Sequence, residues 1–265
     1  MCIRDSPWTN DPVFRVNYFC NIFREDDRVT RWFRDNIREP LRNDYRVARA
    51  TVLFRWFNFI PTGELIKDVL LGDQSLEGIE AALRPLQQRG EKLFTSAFMI
   101  HSPIGSDKLT GILDCLRWLP GVLGSKSPAI SMQGFATQLQ KVNCLGDFMA
   151  YQVVCDLRYT SVLENAPDIM TWTTPGPGSI RALHMLGGNT TMAYKSAKDS
   201  YRSKGAKSFA IGEMRKILER SRDPNLWPRE WRPWELSTVQ HSLCEYSKWL
   251  AGKAGEHLKR RYPQC

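Results

Sequence analysis

The chain has 265 residues, 42% hydrophobic content, a formal net charge of +9 and a pI of about 9.3. That is ample for a packed core in one large domain or two small ones, and it favours polyanionic partners, with a merely basic soluble protein as the competing reading. No window approaches the roughly eighteen uninterrupted apolar residues of a membrane span and no export leader opens the chain, so the expected compartment is the cytoplasm, with no membrane partner.

Residues 1–6, MCIRDS, read as an adapter-derived or disordered leader, which leaves 7–265 as one helical domain. From Val13 to Ile37 apolar residues recur at helical steps (Phe19, Phe23; Val29, Phe33, Ile37), and Pro40 ends the region. A second helix is expected over 44–60, stopping before Pro61, with Arg42, Arg46 and Arg49 forming a stripe that could track phosphates; a solvated face is the competing reading. Residues 75–98 read as two short helices around Pro85, the second opening after Gly90. The loop-like stretch from Pro120 to Ser131 is not a phosphate loop, because Ser125 separates Gly124 from Lys126, and with it an intrinsic kinase is excluded.

In KVNCLGDFMAYQVVCDLRYT, one apolar helix ends at Leu145-Gly146 and another begins at Asp147, a spacing that predicts a tight helix-hairpin-helix. Gly146 would permit the turn, free N–H groups there would hold a phosphate, and Lys141, Asn143 and Gly146 are the expected DNA contacts; a plain αα-corner would look the same. The helix from Asp147 to Leu157 is apolar nearly all round, so Asp156 is either the structural partner of an arginine, the reading ranked first, or a catalytic group. In TWTTPGPGSIRALHMLGG, a rigid turn, a capping Ser179 and Arg181 in the first helical turn together make the best anion site in the chain, against an ordinary capped helix. Trp227, Trp231 and Trp234 are interrupted by Pro228 and Pro233 and are expected to staple a loop onto the core.

VQHSLCEYSKWL places Gln240, Cys244 and Lys248 at four-residue steps, with His241 and Glu245 on the adjacent stripe. Glu245 could serve as a general base and Lys248 could neutralise developing negative charge, with a surface salt-bridge helix as the alternative. The seven cysteines include no CxxC pair and the four histidines no HxH or HExxH spacing, which argues for reduced thiols and against a zinc or iron site. Helical period dominates and paired strand signals are nearly absent, so an all-α fold is expected.

YFCNIFREDDRV, RGEKLFTSAF, LGDFMAYQVVCDL, PGPGSIRAL, QHSLCEYSKW and RRYP, in that order, make the chain resemble the helical domain associated with 5-hydroxymethyluracil DNA kinases and the α-glutamyl/putrescinyl thymine pyrophosphorylases of bacteriophages. The resemblance implies a phage-encoded enzyme acting in the bacterial host on thymine-derived bases of double-stranded DNA. A separate DNA kinase would supply a pyrophosphorylated base, and this chain would displace pyrophosphate with an amine, an amino acid or polyamine. No cofactor is firmly implied, although a divalent metal could accompany the pyrophosphate. Acting on a base in duplex DNA requires flipping it out, which a glycosylase-like scaffold would support. Glu245, then Asp156, would be the base; Ser179, Arg181 and Lys248 would stabilise pyrophosphate; Asn21, Arg24, Asp27 and Arg28 would line the pocket, unless they form an intrahelical ion-pair ladder. The rival is a DNA glycosylase. Phe148 stands where its lysine would be and the Gly/Pro-rich turn before Arg181 has no Asp, although Asp156, Asp168 or Glu245 could substitute. A third reading is a non-catalytic DNA-binding partner of a separate kinase.

Overall fold

The computed structural model describes residues 9–95, 107–119, 131–188, 203–258 and 261. The leader, the excluded phosphate-loop candidate at 120–130 and most of RRYP lie outside the described residues. Described residues form helices and no strand, with one isolated bridge between Asn17 and Arg261. The fold is all-α, and none of these helices is long and apolar enough to cross a membrane. Two compact units divide the chain, a middle unit of Arg28–Trp172 and a terminal unit made from the residues before and after it.

The middle unit holds α2 (Arg28–Phe33), α3 (Val47–Phe57), α4 (Ile60–Leu71), α5 (Leu76–Gln88), α6 (Lys108–Leu116), α7 (Met132–Leu139) and α8 (Asp147–Leu157); α1 (Pro12–Val16) belongs to the terminal unit. All of α3 except Arg49 is buried, and α8 is buried from Met149 to Leu157, as its all-round apolar sequence requires. Phe33 stacks on Phe54 with ring centroids 4.8 Å apart, and Trp32 covers Phe54 from α2. Side-chain caps start several of these helices: Ser75 accepts from Gly78 N–H, Asp107 from Leu109 and Thr110 N–H, and Ser131 from Gly134 N–H.

The terminal unit contains α1, α9 (Pro177–Leu186), α10 (Lys204–Arg220) and α11 (Leu236–Lys253) around a smaller core of Ile180, Leu183, Met214, Leu218, Val239 and Leu243. Trp227 makes edge contacts with Trp231 and Trp234 and a tilted contact with Phe23, so the tryptophan-rich loop is stapled down within this unit.

Several local expectations are corrected. The continuous helical pattern from 13 to 37 breaks after Val16: residues 17–23 are not helical, a short 3₁₀ turn follows at Arg24–Asp26, and α2 runs on through a π-turn at Arg34–Arg38. The helix expected to 60 stops at Phe57, where Asn58 adopts a left-handed φ of 45°, and Pro61 opens α4 instead of closing the preceding helix. Pro85 does not split α5, because Leu76, Ile79 and Leu83 bury one continuous face and the proline falls in the last turn. The hairpin is looser than its sequence suggests: α7 ends at Leu139, and residues 140–146 join it to α8. Its left-handed residue is Cys144 with φ 64°, whereas Gly146 has an ordinary φ of −75°.

Candidate functional site

On α11 the side chains of His241, Glu245 and Lys248 succeed one another at helical steps, and the non-helical segment after α1 runs along them. Its residues alternate in matching order. Lys248 Nζ donates to the Tyr18 carbonyl at 3.4 Å, Cys20 N–H donates to Glu245 Oε2 at 2.9 Å, and His241 Nδ1 is 3.3 Å from the Ile22 carbonyl. A period of two residues on an extended chain thus meets a period of three to four on a helix.

Glu245 Oε2 also accepts from Lys248 Nζ at 2.5 Å, with side-chain exposures of 16% and 30%. Both hydrogen bonds gather on Oε2, which leaves Oε1 without a hydrogen-bond partner among the described residues. Lys248 also lies over the Phe19 ring, 5.1 Å from its centroid. Burial, with the Arg24 charge adding to it, pushes His241 down to about 4, so its imidazole is neutral at physiological pH.

The other flank of α11 meets the start of α9. Gly176 caps that helix, and Ser179 Oγ both accepts from Gly176 N–H at 3.0 Å and donates to its carbonyl at 2.9 Å. Ser179 is therefore the third helical residue, with its hydroxyl tied back to the backbone of the capping glycine, and not the cap itself. Burial first, then the Glu245 charge, push the Cys244 thiol up to about 12, with hydrogen bonds from Ser179 opposing them. Cys244 is held as a neutral thiol and not as a ready nucleophile. Arg181 turns away from the helix start: its guanidinium grips Glu256 in a two-point pair at 2.5 and 3.3 Å. The expected convergence of N–H groups, dipole and guanidinium on one anion thus loses its guanidinium.

Of the remaining pocket candidates, Asn21 is exposed and donates to the Asp26 carbonyl at 2.9 Å, while Asp26 pairs with Arg232. Arg24 stands near His241. Asp27 is exposed at the end of the 3₁₀ turn, and Arg28 begins α2 in the middle unit.

In the middle unit Asp156 is fully enclosed. Its two oxygens accept from Arg55 Nε and Nη2 at 2.5 and 2.8 Å, and Arg55 also donates to Asn58 and Thr30. With exposures of 1% and 0%, the pair is a structural link between α3 and α8. Asp168 likewise accepts from Met132 and Gln133 N–H at 2.7 and 2.9 Å, capping α7.

The stripe arginines have partners in the fold. Arg42 precedes α3 and pairs with Glu164, Arg46 holds Asp44 and the Leu71 and Gly72 carbonyls, and Arg49 donates to the Gln74 carbonyl. Lys141, Asn143, Gly146 and Phe148 are exposed around the hairpin. Among the described residues no three His, Cys, Asp or Glu side chains cluster to hold a metal.

Sequence reasoning missed the Cys20 amide, which no side-chain motif can signal, and Arg55, whose partner lies 101 positions away. It noted Gln240 only for its spacing, although that residue is buried between α11 and the start of α9.

The comparisons show the family of the chain. A family profile described as "5-hmdU DNA kinase, helical domain" matches residues 3–257. A protein named 5-hmdU DNA kinase from Bacillus phage SP10 is 25% identical over 207 residues, covering 69% of this chain and 32% of its own length. The chain therefore spans less than half of that relative. No solved structure matches.

Proposed function

Because the chain belongs to the family of 5-hmdU DNA kinase helical domains, we propose that it is a phage DNA-modification module whose terminal unit acts on a 5-hydroxymethyluracil-derived base. The observation that carries this reading is the meeting of YFCNIF, PGPGSIRAL and QHSLCEYSKW on α11, with one oxygen of Glu245 anchored and the other open.

The reaction is displacement of pyrophosphate from the 5-methylene carbon by an amine. The carbon–oxygen bond to pyrophosphate breaks, a carbon–nitrogen bond forms, and the amine proton passes to Glu245 Oε1. Anchoring Oε2 on the Cys20 amide and Lys248 fixes the carboxylate's direction, which is what a general base needs. Lys248 places positive charge beside the departing phosphate oxygens, and the start of α9 adds its dipole. Ser179 serves by holding that start in shape, while Arg181 is spent on Glu256. Asn21 and Arg24, on the segment that carries Cys20, remain pocket candidates. Double-stranded DNA, an amino acid or polyamine, and a separate kinase are the partners this chemistry requires. Lys141, Asn143 and Gly146 are the DNA contacts retained from the hairpin.

The test incubates the protein with DNA containing 5-hydroxymethyluracil or its pyrophosphorylated form, with and without amines, and weighs the released nucleosides. An amine adduct supports transfer. Abasic sites would support excision, for which Asp156 and Asp168 are poorly placed because Arg55 and the start of α7 hold their oxygens.

A second reading is a helical module that positions DNA for a separate kinase. It is favoured by the chain spanning 32% of a relative whose name is that of a kinase. It predicts no new nucleoside from this chain alone, and a kinase product that Glu245→Gln leaves unchanged.

A further inference from the structure

Gln240 presents a buried amide with nothing adequate to bind. It is 7% exposed, its Oε1 has no partner among the described residues, and its Nε2 donates only to the Cys244 sulfur at 3.3 Å. A thiol is a weak acceptor, and this one is held neutral by burial and by Glu245. Exchanging the amide's oxygen and nitrogen does not cure this, since one end stays unpartnered either way. An unpaired polar group in a core costs about 1–3 kcal/mol. The backbone could have avoided that with leucine at this position on α11.

What covers the amide on the α9 side is glycine backbone. Gly176 and Gly178, both partly exposed, lie over it and over Cys244: a Cβ on Gly176 would sit 3.9 Å from Gln240 Nε2, and one on Gly178 would sit 3.5 Å from the Cys244 sulfur. The two glycines of the turn that starts α9 thus put no side chain of their own over the amide, and the ten-residue helix behind them directs its positive end to the same place. Glu245 is the next residue after Cys244 on α11.

We propose that Gln240, under the glycine turn that starts α9, is a base-reading subsite taking the N–H and adjacent carbonyl edge of a uracil-type pyrimidine. Oε1 accepts from the ring N3–H, and an Nε2 hydrogen leaves the thiol for the stronger O4 acceptor. Both ends of the amide are satisfied only with the base in place. This deepens the reading of the chain as acting on a 5-hydroxymethyluracil-derived base, and rests on it. Gln240 is a specificity residue; it takes no part in the bond changes.

The test measures binding of the full chain to two short single-stranded oligonucleotides, identical except for one 5-hydroxymethyluracil or one 5-hydroxymethylcytosine. Single strands remove the cost of flipping. Wild type is expected to prefer the uracil-type probe at least about tenfold, as one good two-point contact to a base allows. Gln240→Leu is expected to reduce the preference to within about twofold, with a melting temperature equal to or above wild type because the orphaned amide is gone. Gly176→Ala, whose Cβ meets only ordinary contacts, is expected to weaken binding of the uracil-type probe without unfolding the chain. Equal binding of both probes by wild type overturns the proposal, as does a Gln240→Leu protein that keeps the preference, or one that melts markedly lower while keeping it. The two readings fail separately. Amine adducts formed without base preference sink this subsite and leave the function standing, whereas a Gln240-dependent preference with no product sinks the function and leaves the subsite standing.

Discussion

Asp156 in the middle unit and Glu245 in the terminal unit are both carboxylates on helices packed into a core, and each is paired with a cation. Their surroundings differ. Asp156 has both oxygens on Arg55, and Arg55 also donates to Asn58 and Thr30 beside the stacked rings of Phe33 and Phe54. Glu245 is anchored through one oxygen only, beside a neutral histidine, a neutral thiol and a glutamine with an idle end. A closed set of hydrogen bonds holds helices together and can do nothing else. An incomplete set gives up stability, and it leaves groups that a ligand can complete.

The contrast sets what each unit should tolerate. The largest loss of stability is expected from Asp156→Ala, which leaves the Arg55 charge buried and alone: about 3–5 kcal/mol by chemical denaturation. Turnover per folded molecule should change little. A loss of turnover at full stability would reverse the roles assigned to the two carboxylates.

Overpacking the middle unit comes next. A Cβ on Gly63 would lie 2.5 Å from the Trp32 ring and 2.8 Å from Phe54, so Gly63→Ala is expected to cost about 1–3 kcal/mol in the same assay.

In the terminal unit the pH dependence should be traceable to His241. Its pKa is depressed from the ordinary 6.5 to about 4 in the fold, so between those values the unfolded chain carries the proton that the folded chain refuses. Stability is then fully present above about 6.5, falls as pH drops toward about 4, and loses nothing further to this group below that. Unfolding in that window should take up about one proton, and His241→Gln should remove that uptake. The smallest effect is expected at Lys216, 73% exposed in its pair with Glu213, where alanine should change stability by no more than about 0.5 kcal/mol.

Some of this was legible in the residues. The nearly all-round apolar run from Met149 to Leu157 states its own burial, and the ionisable stripe of α11 singled out Glu245 and Lys248 before any partner was visible. What stayed hidden depends on groups distant in sequence. Phe19 and Phe23 fit a helical period, yet the chain there runs non-helically because backbone groups at Tyr18, Cys20 and Ile22 find side chains on α11, more than 200 positions away. Arg181 reads as an anion ligand until Glu256 is seen beside it. For the arginines at 42, 46 and 49 the sequence does not show the partners the fold supplies, Glu164, Asp44 and three backbone carbonyls. Gly146 drew the turn to itself, although the left-handed position is Cys144, which no propensity would choose.

The most direct test compares wild type with Glu245→Gln in a single turnover on pyrophosphorylated 5-hydroxymethyluracil DNA with an amine present, reading nucleoside masses and melting temperature on the same preparations. Glutamine keeps the shape and can still accept from Cys20 and Lys248, but it cannot take the amine proton. The amine adduct should form about 10²-fold to 10⁴-fold more slowly, with melting temperature and DNA affinity unchanged. A Glu245→Gln protein that melts lower and turns over at the wild-type rate per folded molecule would contradict the account and leave Glu245 a structural partner of Lys248.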